Sequence, residues 1–186
     1  MSQNSYSTGI RAIHWLMAVG FFFMWGSGYY MTTMAEEDSH LEELLFSVHI
    51  SVGVTLLWLL MARIVVRKVS PPVTLSDRFS TLEKAGAHFA HISLYALPAL
   101  IIVLGWAETD FGGYGVNWFG IEMPKLFPTR ETFASINLEL FTSTLHKWLA
   151  YLMLIVAVVH IAAVFKHRWV DGDDVLQRMM FNKPRN

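Results

Sequence analysis

The chain has 186 residues, 54% of them hydrophobic, 14% aromatic and only 16% charged, with a mean hydropathy of +0.40 and a formal net charge of −1. That length suits one domain and that hydropathy belongs to the membrane class, while so sparse and balanced a charge leaves no basic face for nucleic acid. Cysteine is absent, which excludes disulfides, iron–sulfur clusters, thiolate catalysis and thiolate zinc sites.

After a short polar start, residues 10–31 carry no charge beyond Arg11, and about 22 such residues are enough to cross a bilayer as a helix. The segment is too long for a signal-peptide core and lacks a small-residue cleavage site, so it is expected to stay in the mature chain. His14 lies about one turn inside it. Residues 32–43 hold Glu36, Glu37, Asp38, Glu42 and Glu43 without a Lys or Arg and are expected to form an acidic loop, with His40 solvated within it.

Residues 44–66 make a second span, with His49 near its start and Gly53 one turn further on the same face, a spacing that leaves room for a flat neighbour. The span ends in Arg63, Arg67 and Lys68, and Ser70-Pro71-Pro72 stops the helix. A Pro/Ser-rich connection with Arg78 and Lys84 leads to a third span over residues 87–107. There His88, His91 and Tyr95 fall on one stripe and Pro98 predicts a kink. Residues 108–141 are the longest connection. Its glycines and aromatics, among them Tyr114, Trp118 and Phe119, predict a loop at the membrane interface rather than another span.

The fourth span, residues 144–166, carries His146 and His160. Fourteen positions put these histidines roughly 21 Å apart along the axis and about 40° apart around it, with Ala150, Met153 and Ala157 between them on the same face. Past it come Lys166-His167-Arg168 and a polar tail. Lys and Arg cluster between the second and third spans and in the tail, so by the positive-inside rule both termini are cytoplasmic. The predicted fold is all-α: one domain over residues 1–186, an integral membrane four-helix bundle, up-down and antiparallel.

Depth then pairs the histidines. His49 and His146 both follow the outer entry of their helices, and His14 and His160 both lie near the inner face, so each pair joins two helices at one level. Ionisable residues inside a membrane are costly and mark function. Axial ligation of haem iron by two imidazoles suits the pattern, and a haem so held moves single electrons instead of binding oxygen. The lack of Cys-x-x-Cys-His agrees with non-covalent haem. Methionine as an axial ligand and histidine-bound copper or zinc are the other chemistries these side chains allow. A purely structural role in helix–helix hydrogen bonding is the plainest alternative.

Several stretches together resemble the bacterial cytochrome b561 family of dihaem four-helix membrane proteins: His14-Trp15, His49 with Gly53, His88-x-x-His91-x-x-x-Tyr95, Phe119-Gly-x-x-x-Pro124, His146, His160, and Asp173-Asp-x-Leu-x-Arg178-Met179. The resemblance covers nearly the whole chain. It implies two b-type haems with His14, His49, His146 and His160 as ligands, electron exchange with the quinone pool (ubiquinone or menaquinone) in the bacterial inner membrane, and, in one branch, oxidation of superoxide with ubiquinone as acceptor. The b subunits of membrane hydrogenases are similar but serve a partner enzyme.

The expected path runs from a periplasmic-side donor to the His49/His146 haem, then to the His14/His160 haem, and then to quinone near the cytoplasmic face. His167, two turns beyond His160, is the candidate for delivering protons to quinone, and His91 is the second quinone-side candidate. Lys84, Arg11 and Lys166 are candidates for pairing with haem propionates. At the outer mouth Lys147, Lys125 and Arg130 are the only basic residues that could attract superoxide, against the acids of the first loop. Two other readings stand beside this one: an electron-transfer subunit that docks a periplasmic redox partner on its aromatic loop, and a non-redox structural or metal-handling membrane protein.

Overall fold

The structure is a computed structural model and describes residues 6–70, 79–130 and 132–181. The Pro-rich connection around Pro71, Pro72 and Arg78 lies outside them. Four helices among the described residues are long and apolar enough to cross a membrane: α1 (Thr8–Thr33), α2 (His40–Val69), α3 (Thr81–Phe111) and α4 (Leu138–Trp169), followed by a short α5 (Val175–Met179).

Each long helix begins where a short polar side chain accepts a hydrogen bond from its first turn. Ser7 accepts from the Ile10 N–H, Ser39 from Glu42, Ser80 from Glu83 and Asn137 from Leu140. At Ser80 the Glu83 carboxylate also reaches back to the cap, closing a capping box. These caps correct the expected boundaries. All four helices outrun the apolar stretches by two to six residues at each end, because hydropathy reports the hydrocarbon crossing whereas the cap decides where the helix starts. His40, Glu42 and Glu43, expected in a loop, form the first turn of α2, where the two acids face its positive dipole end.

The helices pack as two antiparallel hairpins, α1 with α2 and α3 with α4, and contact between the hairpins is much sparser. The outer faces carry large apolar side chains, such as Val19, Trp58, Val103 and Ile155, as lipid exposure requires. The inner faces are built from smaller or flexible ones, with Ser27, Gly53, Met153 and Ala157 buried. The result is a seam between hairpins that is not filled by side chains.

The connection between α3 and α4 contains no span. It forms two small hairpins, β1 (Asn117–Trp118) with β2 (Ile121–Glu122), and β3 (Thr132–Phe133) with β4 (Ile136–Asn137). The first is pinned to α2: the Trp118 indole donates to Thr55 Oγ1 at 3.1 Å and the Phe119 N–H to Ser51 Oγ at 3.0 Å. Asp110, fully buried at the end of α3, accepts the Leu126 and Phe127 backbone N–H groups at 2.8 and 3.1 Å. Val116 joins Val54 and Trp106 in a core cluster. The loop therefore roofs this end of the seam as well as offering aromatics to the surface. At the opposite end the tail folds back on α1, where Arg11 Nη1 donates to the Met180 carbonyl and the Trp15 indole to that of Met179.

Candidate functional site

At the loop end, His49 from α2 faces His146 from α4 across the seam, their ring centres 6.2 Å apart and their planes at 59°. Each ring is held from behind by the other helix of its own hairpin. His146 Nδ1 donates to the Ile101 carbonyl of α3 at 2.8 Å; a carbonyl only accepts, so the proton sits on Nδ1 and Nε2 is bare. His49 Nδ1 lies 3.0 Å from Ser27 Oγ, whose own proton reaches the Met24 carbonyl at 3.2 Å, so the hydroxyl is left to accept from the ring. Both imidazoles are thus in the tautomer that presents Nε2 as a metal ligand.

The spacing fits one metal between them. A metal–nitrogen bond of about 2 Å on either side, with each ring centre about 1 Å further on, separates the two centres by about 6 Å. A cavity of about 450 Å³ opens around the pair, lined among others by Gly28, Gly53, Gly105, Ala150, Trp25 and Tyr151, and such a volume suits a cofactor-sized ligand. The glycines are needed for the rings themselves. A Cβ on Gly105 would stand 3.0 Å from His146 Cε1, and one on Gly28 3.3 Å from His49 Cε1. Tethered rings, free Nε2 atoms and an apolar slot between hairpins are what a bis-imidazole haem requires.

At the other end, His14, His91 and His160 gather from α1, α3 and α4, close enough to interact electrostatically. The His91 and His160 ring centres are 5.8 Å apart at 62°, and His14 Nδ1 lies 3.0 Å from Arg63 Nη1. Arg63 Nε also donates to the Tyr95 hydroxyl at 3.0 Å. Depth reasoning brought His14 and His160 to one level, and the chain does bring them together, but with His91 as a third member. The sequence reading used Arg63 only as part of the basic end of the second span, and Ser27 and the Ile101 carbonyl not at all; the signal that could have marked Arg63 is its spacing, fourteen residues after His49.

Beyond this group, His167 Nδ1 lies 2.6 Å from Asp171 Oδ2, and its ring packs on Phe79 at 4.5 Å. Lys166 bridges Asp171 at 2.8 Å and Glu83 at 2.5 Å. The Lys166 hydrogen bond, helped by that of His167, holds the Asp171 carboxyl below the usual aspartate range. Glu83, His167 and Asp171 bring ligand atoms within 4.8 Å of one another, but the Lys166 ammonium already serves both carboxylates, which makes this an ion-pair cluster. Arg11, engaged with the tail and stacked over Phe181, and Lys166 are both committed to protein partners. On the loop side Lys147 lines the cavity, Lys125 donates to Thr129, and Arg130 lies over the Phe133 ring. His40 and His88 are exposed.

Two apolar hairpins, with His49 facing His146 across the seam at one end and His14, His91 and His160 gathered at the other, define a membrane four-helix bundle with histidines at both ends of its interior. The family model of the prokaryotic cytochrome b561 matches residues 5–182, and the chain belongs to that family. It is 29% identical over 180 residues to cytochrome b561 homolog 2 of Escherichia coli (strain K12), covering 96% of this chain and 93% of that protein. It is 26% identical over 181 residues to the probable superoxide oxidase CybB of Yersinia pestis, covering 97% and 98%. Family and spans together make it a bacterial multi-pass membrane cytochrome, with haem b as cofactor and transmembrane electron transfer as its task.

Proposed function

We propose that the protein moves single electrons through the bacterial inner membrane from a donor on the outer side to the quinone pool, with one haem b held by His49 and His146 and a second by His14 and His160. The observation that carries this reading is the His49/His146 pair, 6.2 Å between ring centres, with both Nδ1 atoms tied and a cavity of about 450 Å³ around it. Bound there, with His49 and His146 holding its iron, haem would supply a one-electron centre.

The chain's own part is positioning. Ser27 and the Ile101 carbonyl keep the outer imidazoles aimed into the seam, and the roof built on Asp110 limits water there. At the inner end His167, hydrogen-bonded to Asp171, holds a proton at Nδ1 beside a surface carboxylate and could pass on one proton at a time, reloading from water between the two that quinol formation consumes; His91 is the second candidate for that role. Ubiquinone or menaquinone is the acceptor in this reading. Superoxide is the donor that the likeness to the Yersinia protein supports; Lys147 lines the outer cavity as a cation that could attract it, with Glu108 on the same wall opposing it. A periplasmic redox protein docked on exposed Tyr114 and Phe119 is the competing donor.

The test is a set of oxidised and dithionite-reduced spectra of purified protein with extracted haem counted per chain. Two low-spin b haems in the native chain are expected, and one in each of His49→Ala and His160→Ala. One haem or none in the native protein overturns the proposal. Stopped-flow mixing with superoxide and then quinone separates the donors: prompt haem reduction by superoxide is expected, and its absence assigns the outer mouth to a protein partner.

A further inference from the structure

Helices α2 and α4 carry matching pairs. His146 and His160 are fourteen residues apart on α4, and His49 and Arg63 are fourteen apart on α2; both intervals amount to roughly 21 Å along the helix and about 40° around it. At the loop end the two helices each present an imidazole. At the other end α4 presents His160, and α2 presents a guanidinium on the face that carries His49.

Arg63 is half-buried and held from two directions. Its Nη1 donates to His14 Nδ1 on α1 at 3.0 Å, its Nε donates to the Tyr95 hydroxyl on α3 at 3.0 Å, and its guanidinium carbon lies 5.3 Å from the centre of the Tyr95 ring. It thereby ties the first hairpin to the second at the level of His14 and His160. An intramembrane arginine is costly to place, and it cannot shed its proton. The loop-end histidines rest instead on neutral acceptors, a serine hydroxyl and a carbonyl. The cations and anions lining that cavity are one of each sign, Lys147 and Glu108.

We infer that Arg63 is a positioning residue that sets the direction of electron flow, by keeping a fixed positive charge against the inner histidine group and so raising the reduction potential of the haem bound there above that of the outer one. The inference rests on the dihaem reading above. Reduction removes one positive charge from iron, so a neighbouring cation favours the reduced state, and the effect is larger in the low-dielectric interior than in water. Since a guanidinium only donates, His14 Nδ1 accepts and the neutral ring carries its proton on Nε2. Were His14 to hold iron through Nε2 with its proton on Nδ1, the bond to Arg63 would be given up, and the guanidinium would stay charged and held beside the group through Tyr95.

The experiment is a redox titration of the purified haem-loaded protein followed by its visible spectrum, with the inner wave identified by its loss in His160→Ala. In Arg63→Gln the inner wave is expected to fall by at least 59 mV, a tenfold change in electron sharing between the haems, while the outer wave stays in place. In Arg63→Lys, which keeps the charge, the inner wave is expected to stay near its native position. An inner wave that is unmoved or raised in Arg63→Gln with both haems retained overturns the inference. Should Arg63→Gln lose the inner haem, Arg63→Lys decides: a native-like wave upholds the charge account, and a lowered wave or a second loss of haem overturns it. Fewer than two haems in the native chain fails the dihaem reading itself, and is seen before any variant is made.

Discussion

A methyl group added at residue 105 meets the His146 ring at 3.0 Å from Cε1 and 3.1 Å from Nδ1, and that ring cannot retreat without losing its bond to the Ile101 carbonyl. Gly105→Ala is therefore expected to empty the outer site while sparing the inner one, lowering haem from two to one per chain; extraction and counting of haem checks it. Full retention would mean that the ring moves freely and is not held by Ile101. The four histidines were legible in the sequence because an imidazole in an apolar span needs a reason to be there. Their tethers were not. Ser27 and a backbone carbonyl have no signature in the chain, and Gly28 and Gly105 look like ordinary small residues until the rings they admit are seen beside them.

Among the elements, the connection between α3 and α4 depends most on one side chain. Asp110 takes two backbone N–H groups from residues sixteen and seventeen positions ahead, and a buried donor left without a partner costs about 1–3 kcal/mol. Asp110→Ala is expected to loosen the roof of the outer cavity and to lower stability by about that much for each of the two groups. Faster amide exchange at Leu126 and Phe127, together with an earlier thermal transition in detergent, is the measurement; unchanged exchange would show that the loop is held elsewhere. Hydropathy located all four spans, because twenty or so apolar residues have little alternative to a membrane helix. It misjudged their ends, which depend on single residues such as Ser7, Ser39, Ser80 and Asn137. It also left the aromatic loop as a surface feature, whereas Trp118 is anchored to α2 through Thr55.

For the whole molecule, the proposed direction of electron flow requires both termini to face the cytoplasm. The absence of cysteine makes this simple to check: a single cysteine at Glu37 is expected to react with an impermeant thiol reagent from outside intact spheroplasts, and one at Gln177 only after the membrane is opened. The reverse pattern would turn the electron path around. Class and span number were settled by the sequence itself, because transfer free energy acts on local composition, and a helix converts residue number into rise, which is what put His49 and His146 forward as a pair. Only the tertiary structure decided that the bundle divides into two hairpins with an unfilled seam, that His91 joins His14 and His160, and that Arg63 reaches across to Tyr95. Those are contacts between distant segments, and they follow from how helix faces rotate against one another, which the order of residues along any single helix does not specify.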